Sequence, residues 1–538
     1  MNMNLSPQSS RLEILHESPR ALTFEQIDEE LAAFELAERR RLGLQTNPLQ
    51  QWSDPNPQEF RREQREHTTI LLGGLTLSQD TLVSAALDGL GYRTEMLACP
   101  DSEALRFGRE FGNRGQCNPT YFTVGNLIKR LTLLRDIEDV SVAEIIRGYV
   151  FVTAGACGPC RFGTYATEYR KALRDAGFDG FRVLLFQQEG GLRQACGGNS
   201  GVEFGPRFFV QLLKGIIAGD VLNLMGYRLR PYELEPGAAD AAMGRCRDIL
   251  AAALRSRRSV IRNLRRCRNE LLSVPLNRLQ PKPKVSIIGE FWAMTTEGDG
   301  NYQLQKFLES EGAEVEVQPV TSWLLYMIWQ NRHDTLRRRE LRGEDEGRRG
   351  LRGRVPRRML MKLWIAERSV RSLFRIFAWS VGLRNYDLPN MDLIARLAHK
   401  HYHVELRGGE GHMEVGKLIE TVTKKKAHMV VSVKPFGCMP SSGVSDGIQP
   451  VVLNKYPEAV FCSVETTGDG AVNFQSRIQM HLFRARRRAR EEFENAIRHS
   501  GISLTDVAAQ SRTDRHRRLS APTGPYIGTG ANLISADH

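Results

Sequence analysis

The sequence predicts an α/β protein of two domains with mostly parallel sheets flanked by helices, plus a helical insertion and loosely ordered termini. Three observations carry that expectation. Short apolar, β-branched runs alternate with amphipathic helical stretches, the pattern of strand–helix–strand crossovers. A proline-rich break over 275–283 divides the pattern in two. The chain's 538 residues, 41% of them hydrophobic, suffice for two or three packed cores.

Residues 1–66 are polar, with a helical pattern over 24–42 and a Pro/Gln-rich linker over 47–58, and read as an N-terminal extension. The first α/β domain, 67–274, begins with a strand at 68–72, a helix over 77–90, a strand at 93–97 and a helix over 124–134. A strand follows at 149–152, then a helix from 164 with Tyr165, Tyr169 and Leu173 on one face, a strand at 182–187 and a helix over 207–224. A long amphipathic segment, 238–272, closes the domain. The second domain, 275–490, has strands at 284–289, 314–320, 429–433 and 459–464 and a helix over 302–311. Its arginine-dense helical insertion, about 331–385, reads as an appendage. The tail, 491–538, is rich beyond residue 500 in Ser, Thr, Gly and Asp and is expected to lack a core of its own. No internal repeat of fixed period is visible.

The net charge of +13 and pI near 9.4 sit in a few arginine-rich segments, so the charge is local. Residues 1–20 contain no apolar signal core, and the apolar stretches 323–329 and 373–383 are too short to span a bilayer. The expectation is a cytoplasmic protein without membrane contact. Its nine cysteines then stay reduced, and clustered thiols point to metal or redox chemistry.

The most informative stretch is Ala154-Gly-Ala-Cys157-Gly-Pro-Cys160-Arg-Phe-Gly163, between a strand and a helix. Thiols at a helix start are stabilised as thiolates by unpaired N–H groups. The pair fits a thioredoxin-like redox couple, half of a zinc site, part of an iron–sulfur ligand set, or two small buried thiols in a tight turn. No second CxxC completes a zinc set. Cys117, in Gly115-Gln-Cys-Asn-Pro-Thr120, and Cys438, in Lys434-Pro-Phe-Gly-Cys-Met-Pro440, occupy comparable turns, where α/β folds collect ligands.

These motifs, in this order, are similar to the 2-hydroxyacyl-CoA dehydratase and benzoyl-CoA reductase superfamily. The resemblance runs over about 67–490 through 118–131, Gly158-Pro-Cys-Arg-Phe-Gly163, Gly289-Glu290, the stretch from Gly409 to Lys417, and Pro435-Phe-Gly-Cys-Met-Pro440. It is greatest to the dehydratase-like, double-cubane-type modules associated with an ATP-dependent activase. The resemblance implies a [4Fe-4S] cluster held by Cys117, Cys160 and Cys438, with Cys157 a fourth or alternate ligand or an unbound neighbour. It further implies low-potential electron transfer or reductive and dehydration chemistry, a separate activase, an acyl-CoA substrate, and a related subunit if the cluster is half of a double cubane.

Glu290, at a strand end, fits an acid–base group or a helix cap. Ser442, in the hydroxyl-rich run 441–447, fits an anion cradle or a hydrogen-bonded turn. Cys462 reads as core, and Cys246 and Cys267 as structural; Cys99 and Cys196 have less informative contexts. Gly411-His-Met-Glu-Val-Gly-Lys417 matches a phosphate loop in spacing, but Leu418 replaces the required Ser or Thr, so nucleotide binding is not expected there. His399, His401 and His403 read as a polar helix end. The arginines at 337–339, 348, 349, 357 and 358 fit nucleic acid, an acidic partner protein, CoA phosphates or a solvated face paired with Glu340, Glu344 and Glu346. Few aromatics interleave them, which argues against nucleic acid. The competing function is a metal-stabilised, non-enzymatic scaffold whose basic insertion docks a partner protein or nucleic acid.

Overall fold

Among the described residues, eight strands form two four-stranded sheets, each wholly parallel. The computed structural model describes residues 24–43, 60–155, 160–187, 201–340, 355–406, 411–501, 505, 519 and 524–535. β1 (Thr69–Leu72), β2 (Arg93–Met96), β3 (Tyr149–Gly155) and β4 (Arg182–Gln187) lie in the order β2-β1-β3-β4. β5 (Lys284–Gly289), β6 (Glu314–Val317), β7 (Met429–Pro435) and β8 (Phe461–Thr466) lie in the order β6-β5-β7-β8.

The two orders are the same. In each sheet the first strand pairs with both the second and the third, so the winding reverses between β1 and β3 and again between β5 and β7. Such switch points open a crevice at the carboxyl ends of the strands. The topology is thus duplicated although the sequence shows no period, because connections of unequal length separate corresponding strands. Every residue of β7 is buried, as a central strand covered on both faces requires.

Residues 56–538 make one compact unit; residues 1–55 make another, in which Phe24–Arg41 is helical. Helix Pro206–Leu229 ties the larger unit together. It is apolar enough to span a bilayer by composition, but 67% of the relevant window is buried within the protein, with Ile217, Val221 and Met225 inaccessible. Near its end Tyr227 joins the core of the second sheet.

Several elements differ from expectation for identifiable reasons. The segment 238–272 is two helices, Ala238–Arg255 and Val260–Leu272, parted by Arg257 at φ 52° and restarted by the Ser259 cap. The strand expected to reach residue 320 stops at Val317; a proline follows at 319, and helix Val320–Glu340 begins. The Asp220 carboxylate caps that helix, accepting the N–H groups of Val320 at 2.8 Å and Thr321 at 2.7 Å. The inserted helix Pro356–Val381 packs on the first half of the molecule: Phe374, Phe377 and Val381 share a core with Val221, Leu222, Leu264 and Leu271. The long helix Ala471–Ser500 runs across the boundary expected at 490, and within the expected tail Thr529–Ser535 is a buried helix. Helices Ser102–Phe111 and Val142–Gly148 have no counterpart in the periodicity.

Candidate functional site

Three cysteines stand at helix N-caps. Cys117 precedes helix Asn118–Asp136, Cys160 precedes the short 3-10 turn Arg161–Thr164 beyond β3, and Cys438 precedes Met439–Ser442 beyond β7. All three backbones are extended, as an N-cap requires, where Ser, Thr, Asp or Asn is the usual residue. The Cys117 sulfur does not cap its helix. It lies 3.1 Å from the Thr120 hydroxyl and 3.3 Å from the Tyr165 hydroxyl.

The loops meet. The Asn118 N–H donates to the Phe436 carbonyl at 2.9 Å, joining the Cys117 and Cys438 loops. Gly437 adopts φ 75°, and a Cβ placed on it would lie 3.2 Å from Cys117 Cα, 3.2 Å from the Gln116 carbonyl oxygen and 3.4 Å from Arg161 Nη1. The Arg161 guanidinium donates to the Gly115 carbonyl, anchoring the Cys160 turn to the Cys117 loop. Residues flanking all three cysteines are therefore in contact across loops from both halves of the molecule. Cys117 and Cys438 are buried and Cys160 half-buried. Cys157 and Cys196 lie outside the described residues.

Carboxyl groups surround the Cys438 side. Glu290, at the β5 end of the second switch point, caps helix Phe291–Thr295 by accepting the Ala293 N–H at 2.8 Å, and burial raises its pKa. Glu414, which sequence reasoning passed over, is buried on helix Gly411–Thr423; one oxygen accepts the Ser441 hydroxyl at 2.9 Å and the other has no partner. Burial pushes its carboxyl up to about 7, and the charge of Glu290 adds to the rise. Burial likewise pushes the Cys438 thiol up, and Glu290 pushes it further. The Tyr165 hydroxyl is held well above the phenol range by burial, then by its contact with Cys117. Ser442 is spent on the Cys438 carbonyl at 2.7 Å, so its neighbour Ser441 is the hydroxyl that reaches a carboxylate.

A thiol as protonated as Cys438 is a poor nucleophile and a poor redox couple by itself. A cationic centre reverses that balance, because a coordinating thiol loses its proton outright. Two buried polar atoms without partners lie close to these cysteines in sequence: Nδ2 of Asn118, next to Cys117, and the Ser445 hydroxyl, seven residues beyond Cys438. Donors of this kind suit the sulfur atoms of an iron–sulfur centre. Among the described residues no three His, Cys, Asp or Glu side chains are within reach of a single metal ion. A cubane spreads its thiolates over separate irons and does not need that closeness. The donor chemistry fits such a cluster.

The remaining candidates fall elsewhere. Residues 411–417 are helix, not a phosphate-wrapping loop. His399 ends helix Met391–His399, its ring centroid 5.8 Å from that of His403. Cys462 is buried in β8, and Cys246 and Cys267 face each other in the helical core. A small cleft bounded by Gly289, Phe291, Trp323, Met413, Glu414 and Lys417 adjoins the carboxyl group pair. No protein-family model matches the chain, and no curated protein matches it.

Proposed function

We propose that this protein binds a [4Fe-4S] cluster through Cys117, Cys160 and Cys438, with Cys157 as fourth or alternate ligand. Its function on this reading is low-potential electron transfer or reductive and dehydration chemistry of the 2-hydroxyacyl-CoA dehydratase kind. One observation carries the reading: residues beside three cysteines far apart in sequence touch at the carboxyl edges of two parallel sheets.

The cluster would supply a low-potential electron. The chain's own groups would manage protons and water. Glu414, whose carboxyl is pushed up to about 7 by burial, can hold or release a proton beside the Ser441 hydroxyl. Glu290 and Tyr165 are both held toward their neutral forms by burial. An acyl-CoA is the proposed substrate; in the small adjoining cleft the Lys417 ammonium already lies 4.0 Å from Glu316 and 3.9 Å from Glu420. The proposed partners are a separate ATP-dependent activase and, for a double cubane, a related dehydratase-like subunit. The proposed setting is the cytoplasm.

Anaerobic purification followed by iron and sulfide analysis and EPR tests the proposal. Stoichiometric iron and sulfide with a low-potential EPR signal support it. A colourless protein with stoichiometric zinc overturns it, and an unchanged cluster in Cys117→Ala and Cys160→Ala overturns the ligand assignment. A zinc result would select the second reading, a metal-stabilised docking scaffold, which is favoured by the exposed face of the inserted helix.

A further inference from the structure

The inner face of helix Pro356–Val381 is fully used, since Val370, Phe374, Phe377 and Val381 are buried. Its outer face is unusual. Trp364 and Trp379 are 56% and 65% exposed, and Met361, Ile365 and Ile376 are exposed along the same side. At 1.5 Å per residue, the ridge from Met361 to Trp379 is roughly 27 Å long. Single exposed apolar residues are normal, but two indoles and three long aliphatic side chains on one ridge mark an interaction surface.

The charges between them are all basic. Arg357, Arg358, Lys362, Arg368 and Arg375 are exposed on this helix. The Arg368 guanidinium lies 5.5 Å from the Trp364 ring centroid, which orders both side chains. The helix's own carboxylate, Glu367, is turned inward to Arg371 at 3.0 Å and Arg332 at 3.6 Å. Among the described residues, the carboxylate that meets a basic group of the ridge is Asp387, 3.8 Å from Arg375 with both side chains exposed.

We propose that this ridge docks a protein partner that offers an apolar helix face flanked by carboxylates. Tryptophan, methionine and arginine are the residues enriched at protein interfaces, whereas lysine is depleted, and arginine outnumbers lysine four to one among the basic residues named. Planar guanidinium groups pair with carboxylates through two parallel hydrogen bonds. A second copy of this chain is disfavoured, because a symmetric contact would set arginine against arginine. A membrane-surface helix commonly keeps its basic residues on the face away from its apolar one, whereas here both share the outward ridge. The inference is independent of what the cysteines bind.

The test uses the full-length protein and three probes: a fluorescent amphipathic helical peptide with a glutamate polar face, its lysine-faced twin, and phosphatidylserine-containing vesicles. The glutamate peptide is expected to bind and the lysine twin not to bind. The double variant Trp364→Ala, Trp379→Ala should weaken binding at least about tenfold. Arg368→Glu with Arg375→Glu should remove the preference for the glutamate peptide. Both variants change exposed side chains, and an unchanged thermal midpoint confirms that folding is intact. Equal binding of both peptides, binding of the vesicles alone, or glutamate-peptide binding unaffected in the variants would each overturn the proposal.

Discussion

Gly437 shows how much a single residue decides here. Its φ of 75° suits glycine, and a methyl group there would press on Cys117 Cα and the Gln116 carbonyl at 3.2 Å. Gly437→Ala should cost about 1–3 kcal/mol of stability, read by denaturant unfolding, and should lower iron content if the thiols hold a cluster. Glu414 makes a pH prediction. Its carboxyl binds a proton more tightly folded than unfolded, so its contribution is complete below about pH 4.5 and is lost as pH rises through about 7. Stability should therefore decline across that window, by an amount on the order of 3 kcal/mol from this group, and Glu414→Gln should flatten that part of the curve. Chemical denaturation at several pH values measures it. Glu414 was illegible in the sequence because it sits in a helical, polar-looking stretch, and its raised proton affinity comes from burial and then from Glu290, both reached only through folding.

Two carboxylates organise whole elements. Asp220 accepts hydrogen bonds from Val320, Thr321 and, at 2.6 Å, the Gln79 side chain, so it caps one helix from another and ties both to helix Leu77–Asp88. Asp220→Ala should cost about 3 kcal/mol, since it strands several buried donors, and unfolding by heat or denaturant would show the loss. Glu492, on the long helix Ala471–Ser500, holds the C-terminal helix. It accepts the Gly528 N–H at 3.0 Å and the His428 ring at 2.7 Å. Burial alone would raise its pKa, but the His428 and backbone hydrogen bonds outweigh it and hold it low. That contribution is present above the ordinary carboxylate range and fades as pH falls through the depressed value. Glu492→Gln should accelerate amide exchange in 524–535 at neutral pH while leaving β5 and β7 protected.

At the scale of the molecule, two sheets of the same strand order share a core helix; the Cys160 and Cys438 loops leave their carboxyl edges, and the Cys117 loop, between two helices, packs against the Cys438 loop. Much of this was legible locally. β4 and β5 fall on their expected residues because runs such as Val285 to Ile288 are apolar without interruption, and each thiol turn is punctuated by glycine or proline. The side to which the inserted helix would dock was not legible, since amphipathicity names a buried face but not its partner. The sequence by itself determined the α/β class, the strands and the turn placement of Cys117, Cys160 and Cys438, all consequences of short-range propensity and periodicity. Only the tertiary structure decided that those turns touch, that Glu414 and Glu290 press on the same thiol, and that the basic helix turns its tryptophans outward. Proximity, burial and proton affinity depend on neighbours hundreds of residues away, which no local pattern encodes.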